Sequence, residues 1–444
     1  MIQAGSRVLN PERSTGFAGP LGLPAITKRN REQDLALGGA GRVAEYGVAL
    51  DGHAMPATPE TPRTAGPFFV RHEFPAMQDV PVFPPHIAAL RPYVPGLPIE
   101  VLARQLAIEP GRIAKLASNE NPLGPSPRAL RAMVEAAIDF SRYPDTDCVP
   151  LVGALAERHG VPAEWIVVGA GSESLLGLVA SSMLSQGRKA LYPRYAFQAF
   201  VNAVQKAGAT GIAIDEPELR VDLAGMREGL SRQPSLVYIA NPGNPTGTWL
   251  EPGELAEFLT LVPPHVVVLL DEAYVEFLPD ASQTDAMAWV RQYPNLVVTR
   301  TFSKAYGLAG LRVGYAIAQP GLADMLRRVR SPFTVTTLAQ AAAEAALEDQ
   351  PFLERTLANN REAGQLLRAG LEALGLRVLP SATNFLMAEV GDGQTCARRL
   401  QEQALIVRPV GNYGLPTWLR ISIGTPEESR RLLRAMEPAV AKAR

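Results

Sequence analysis

Cysteine is scarce in this sequence: Cys148 and Cys396 stand alone in 444 residues, with no CxxC pair. That excludes a disulfide framework and sets the expectation of a reducing compartment, the cytoplasm. Histidine is almost as rare. His53, His72, His86, His159 and His265 show no metal-ligand spacing, so no metal site is expected. An excess of one charge is missing as well. The 43 Lys and Arg and 44 Asp and Glu leave a formal net charge of −1, which makes no electrostatic case for nucleic acid or an anionic membrane surface. No apolar run is long enough to span a bilayer. What is present is 47% hydrophobic and 20% charged residues, the balance of a globular chain. Its length exceeds what one core usually holds, so two or more domains are expected.

Residues 1–80 differ from the rest. Gly, Pro, Ala, Thr and scattered charge dominate there, as in PATPETPRTAGP, and no periodic apolar face emerges. Such a segment buries too little apolar surface to offset its ordering entropy, so it reads as a disordered extension. It lacks the apolar stretch of a signal peptide. From about Val80 onward, short apolar runs (WIVVGA, ALYP, SLVYIA, VVVLLDEAY, NLVVTR, RVGYAIA) alternate with amphipathic stretches such as SESLLGLVASSML and GELAEFLTLV. The alternation predicts an α/β domain with a mostly parallel sheet flanked by helices. After Pro332 the pattern changes to long helical stretches, then ATNFLMAEV, IVRPV and LRISIG around further helices, the signature of a smaller α+β domain.

Three polar constellations sit at expected strand ends. NPGNPTG (241–247) presents Asn241 and Asn244. LLDEAY places Asp271 directly after a run of apolar residues. TFSKAYGLAGLR sets Lys304 among small, apolar and hydroxyl residues. Taken singly, each has a plain structural reading: a turn, a helix cap, an exposed lysine. Taken together, at successive strand ends of one sheet, they describe a site. A lysine amine can form a Schiff base with an aldehyde, and desolvation lowers its pKa. Pyridoxal 5′-phosphate needs that lysine, and a carboxylate to keep its ring nitrogen protonated. It also needs phosphate donors, which VGAGSESLLG (168–177) can offer where a glycine turn enters a helix at Ser172, with Thr301, Ser303 and Arg312 nearby in sequence.

At this point the sequence resembles the pyridoxal-phosphate aminotransferases of fold type I, the aspartate-aminotransferase-like fold, and within them the histidinol-phosphate aminotransferases. RPYVPG (91–96), KLASNENPLGPSP (115–127), RYPD (142–145), NPGNPTG, DEAYVEF, TFSKAYGLAGLRVGY and YGLPTWLRISIGT (413–425) match in order. The resemblance implies a large domain over 140–331, a small C-terminal domain over 332–444, and an arm plus part of the small domain over 81–139.

The resemblance also implies roles. Lys304 is the Schiff-base lysine and proton carrier, and Asp271 the partner of the ring nitrogen. Asn244 and Tyr274 meet the ring hydroxyl, and Tyr195 stacks on the ring. Gly171, Ser172, Thr301, Ser303 and Arg312 bind the cofactor phosphate. Tyr143 reaches the phosphate of the other subunit, which makes the enzyme a homodimer with shared sites. Arg420 grips the substrate's anionic group, with Tyr93 and Arg408 nearby. The implied reaction moves an amino group from histidinol phosphate to 2-oxoglutarate. Aromatic amino acids as donors, a threonine-phosphate decarboxylase-like lyase and a non-catalytic pyridoxal-binding regulator are the alternatives. No helix-turn-helix or basic segment precedes the domain to favour the last. Two departures from the family pattern stand out: Ser172-Glu173-Ser174 where an Asp-Glu pair usually opens the helix, and Gln198 where many members have a second tyrosine.

Overall fold

Runs of β-branched and aliphatic residues buried on both faces build the central sheet of this computed structural model, which describes residues 82–90 and 96–441. The extension 1–80 and Tyr93 lie outside the described residues. Seven strands form the sheet: β1 (Ile166–Gly169), β2 (Lys189–Pro193), β3 (Thr210–Ile214), β4 (Leu236–Ala240), β5 (Val267–Asp271), β6 (Leu296–Thr301) and β7 (Gly314–Ala318). Their order is β1-β7-β6-β5-β4-β2-β3. All neighbours are parallel except β7, which runs antiparallel to both β1 and β6. The central strands are apolar on both sides because helices cover both faces, and each face has its own apolar core.

A second, antiparallel sheet comprises β8 (Arg377–Val378), β9 (Phe385–Glu389), β10 (Arg408–Val410) and β11 (Leu415–Ser422), in the order β10-β11-β9-β8. Its core is separate and includes Ala363, Leu367 and Leu371 of a long helix, Gln350–Ala373. The start of that helix, at Leu353, belongs instead to the core of the large sheet, as does the preceding helix Thr337–Glu348 through Ala339, Ala342 and Ala346. The change of core therefore falls inside the long helix and not at Pro332, where the composition shifts. The N-terminal part of the described chain joins the second body: Ala114–Lys115 pairs in parallel with Leu405–Ile406. No helix among the described residues is long and apolar enough to cross a membrane.

Candidate active site

The parallel strands deliver their polar residues to one edge. Asn241 follows β4 directly, Asp271 ends β5, Lys304 comes three residues after β6, and Gly171 opens the helix α1 (Gly171–Met183) beyond β1. A cavity of about 270 Å³ lies at this edge, and the second sheet supplies its opposite wall. It is lined by Ser172, Asn244, Asp271, Tyr274, Thr301, Ser303, Lys304 and Arg312 from the first body, and by Arg408 and Arg420 from the second. Ligands of open α/β sheets bind at such strand ends.

Lys304 Nζ donates to the Ser118 carbonyl at 3.3 Å and lies 5.8 Å from the centre of the Tyr274 ring. Burial lowers its pKa from 10.5 to about 8. The Arg420 and Arg312 charges push the same way, and Glu120 and Asp271 oppose them. Asp271 is buried, and its two oxygens accept from different strands: Oδ2 from Tyr238 at 3.0 Å and Oδ1 from Thr299 at 3.3 Å. Burial raises its pKa to about 6 against the pull of those bonds. Tyr274 Oη accepts from Asn119 Nδ2 at 2.9 Å and from Asn244 Nδ2 at 3.4 Å. Neither contact uses the phenolic hydrogen, and burial pushes the pKa up to about 12, so Tyr274 keeps a proton to donate.

A second cluster has the character of an anion cradle. α1 begins at Gly171 with no side-chain cap, so its first N–H groups have no capping acceptor. Gly171 has φ +77°, and a Cβ there would stand 2.5 Å from Arg312 Nη2. Arg312 Nη1 donates to Ser303 Oγ at 3.4 Å, and Thr301 Oγ1 donates to the same oxygen at 3.0 Å. Gly314 must also lack a side chain, since its Cβ would lie 2.6 Å from the Ser172 nitrogen. Helix N-terminus, guanidinium and two hydroxyls thus converge on one spot, as phosphate binding requires.

At the other wall, Arg408 on β10 stands directly opposite Arg420 on β11, so both side chains leave the same face of the sheet. Arg420 donates to Asn244 Oδ1 at 2.7 Å and to the Ala117 carbonyl at 2.9 Å, which ties the second body to the NPGNPTG turn.

The comparisons with known proteins decide the family. The model of aminotransferase class I and II matches residues 112–436. The chain belongs to that family. This aminotransferase is 49% identical over 365 residues to histidinol-phosphate aminotransferase 2 of Ralstonia nicotianae, an alignment spanning 81% of this chain and 97% of that one. Among solved structures it is similar to the histidinol-phosphate aminotransferase of Sinorhizobium meliloti in complex with pyridoxal-5′-phosphate. The TM-score is 0.76 at 31% identity, over 83% of this chain and 100% of that one. Aspartate aminotransferase from Thermus thermophilus shares the fold at 20% identity, with TM-score 0.71 over 81% of this chain and 100% of that one. The fold is therefore the aspartate-aminotransferase-like fold type I.

Tyr195 and Tyr143 are not among the residues that line the cavity. Tyr195 packs against Leu379, Met387 and Trp418 of the second body, and the same loop presents Phe197 and Gln198 to the cavity instead. The backbone N–H of Tyr195 donates to the buried Glu216 carboxylate at 2.5 Å, which anchors the start of the loop. Tyr143 is 83% exposed and stacks on Phe333. Sequence reasoning missed Tyr238, Asn119 and Thr299. A tyrosine or threonine within an apolar strand reads as core, and the SNENP segment carries no local clue to its distant partner.

Proposed function

We propose that this aminotransferase uses pyridoxal 5′-phosphate to transfer the amino group of histidinol phosphate to 2-oxoglutarate, the conversion that yields imidazole acetol phosphate and glutamate in histidine biosynthesis. The observation that carries the reading is the pairing of two anion sites in one cavity. The Gly171–Ser303–Arg312 cradle suits the cofactor phosphate, and the adjacent Arg408 and Arg420 suit a second anion. The names of the relatives supply the donor.

The residues present fit the cofactor. Gly171 lets the Arg312 guanidinium close against the start of α1, where a phosphate would meet both, and the buried Asp271 carboxylate has the charge to hold a protonated ring nitrogen. Bound there, pyridoxal 5′-phosphate would supply an aldehyde for amine capture and an electron-withdrawing ring. Lys304 has the reach and the lowered pKa to take a proton from the amine-bearing carbon and return it. Tyr274 and Asn244 would orient the ring oxygen. Arg420 can grip a carboxylate or a phosphate through paired hydrogen bonds, which suits donor and acceptor in turn.

We further infer a homodimer. Ile138, Tyr143 and Val134 are 91%, 83% and 62% exposed, and Tyr143 stacks on the exposed Phe333, apolar side chains that a subunit interface would remove from water. Tyr143 would reach the cofactor phosphate of the other subunit from that surface.

The test is a panel of donors with 2-oxoglutarate. Histidinol phosphate should form glutamate fastest. Faster turnover of phenylalanine, or release of carbon dioxide from a phosphorylated amino acid, would overturn the donor assignment. Arg408→Ala should slow the half-reaction with the phosphorylated donor by about 1–3 kcal/mol and the glutamate half-reaction less. Equal damage to both would remove Arg408 as a phosphate reader.

A further inference from the structure

We propose that Tyr238 is a positioning residue for this reaction, its hydroxyl acting with that of Thr299 to hold Asp271 as an oriented carboxylate anion. The inference rests on the cofactor reading given above. Three neighbouring strands make the arrangement. Ala240 of β4 and Thr299 of β6 are both in register with Asp271 of β5. Tyr238 lies two residues before Ala240, on the same face, and a tyrosine is long enough to reach the diagonal neighbour. Its Oη donates to Asp271 Oδ2 at 3.0 Å, and Thr299 Oγ1 donates to Oδ1 at 3.3 Å.

The phenol cannot swing away. Tyr238 is 0% exposed, and its ring is stacked on Phe200, with centroids 4.1 Å apart and planes 11° from parallel. Phe200 in turn meets Tyr192 edge-on at 5.9 Å. With the Ala273 backbone N–H as a further donor, the carboxylate still has lone-pair capacity for a ring nitrogen, and its plane is set before that donor arrives. Burial and the nearby carboxylate keep the Tyr238 hydroxyl protonated, so it can only donate to the anion.

The other ionisable groups near the pair are Glu272, Lys304, Tyr274 and Tyr413. Glu272 is met by Arg300 at 2.7 Å. Burial keeps Tyr274 protonated through the neutral range. Lys304 changes charge there in the wild type and in a Tyr238 variant alike, so its effect cancels in a ratio of the two.

The experiment compares wild type with Tyr238→Phe, which keeps the stacked ring and removes only the hydroxyl. Pyridoxamine 5′-phosphate is the probe, because it has no aldehyde for Lys304 to capture. Its dissociation constant is measured by calorimetry from about pH 5.5 to pH 8.5. Loss of a donor to the anion lets Asp271 take up a proton at higher pH. The ratio of variant to wild-type constants should therefore be near unity at the alkaline end and grow to about tenfold at the acid end. Thr299→Val should show the same trend, and it carries the test if Tyr238→Phe does not fold. A ratio that stays constant with pH in the variants that fold would mean packing alone, and would overturn the proposal. A wild type that fails to bind the probe would overturn the cofactor reading and this inference with it.

Discussion

Lys304 offers the most direct measurement of what the fold does to chemistry. Its pKa falls from 10.5 to about 8, chiefly because the amine is removed from water and then because Arg420 and Arg312 stand near. That difference corresponds to about 3 kcal/mol between the two protonation states. At a pH of about 7.5 roughly a quarter of Lys304 is then the neutral amine, against about one in a thousand for an unperturbed lysine. Only the neutral form is a nucleophile, so the reactive fraction rises as pH rises through the folded value and vanishes below it. Trace labelling of the cofactor-free protein with an acylating reagent, read by mass spectrometry of the Lys304 peptide, should give a midpoint about two units below that of the same lysine in the unfolded chain. Arg420→Gln should move the midpoint part of the way back, because burial is the larger cause and persists. Coincident midpoints in folded and unfolded protein would refute the reasoning. An unmoved midpoint in Arg420→Gln would refute the charge contribution alone.

Gly171→Ala forces a side chain onto a backbone with φ +77° and against Arg312. It should cost about 1 kcal/mol of stability in thermal melts. It should also shrink the stabilisation that added pyridoxal 5′-phosphate confers, and an unchanged increment would show that the cradle is not the phosphate site. Ile138→Asp puts a charge on the most exposed of Ile138, Tyr143 and Val134, so light scattering should report half the wild-type mass together with lost activity if it lies in the proposed interface. An unchanged mass would move the subunit interface elsewhere.

The legible parts of this fold are those whose physics is local. β4, β5 and β6 are continuous buried runs of aliphatic residues, and no neighbour has to be known for such a run to read as a strand. β3 went unread because Thr210–Ile214 sits at the sheet edge, with Gly211 and Ala213 for bulk and its first two residues exposed. The same division runs through the site. Asp271 announces itself because it breaks an apolar run at a strand end, and Asn244 and Lys304 because they stand in polar turns four and three residues after their strands. Asn119 does not, since its role depends on a bond to Tyr274 155 residues away. Tyr238 hides for a further reason. Its ring belongs to the core and only its hydroxyl reaches the site, and a sequence presents the two as one residue.

Charge binds these pieces into one device. Lys304, Arg312, Arg408 and Arg420 line the cavity against Asp271, Glu120 and Glu173, and Glu120 is already engaged by Lys115 at 3.0 Å. The surplus is positive, and it is divided between the cradle at Arg312 and the wall at Arg408 and Arg420. Arg312 and Arg420 are also the two cations that hold the Lys304 amine toward its neutral form. An anion settling on either would cancel part of that influence and raise the affinity of Lys304 for a proton.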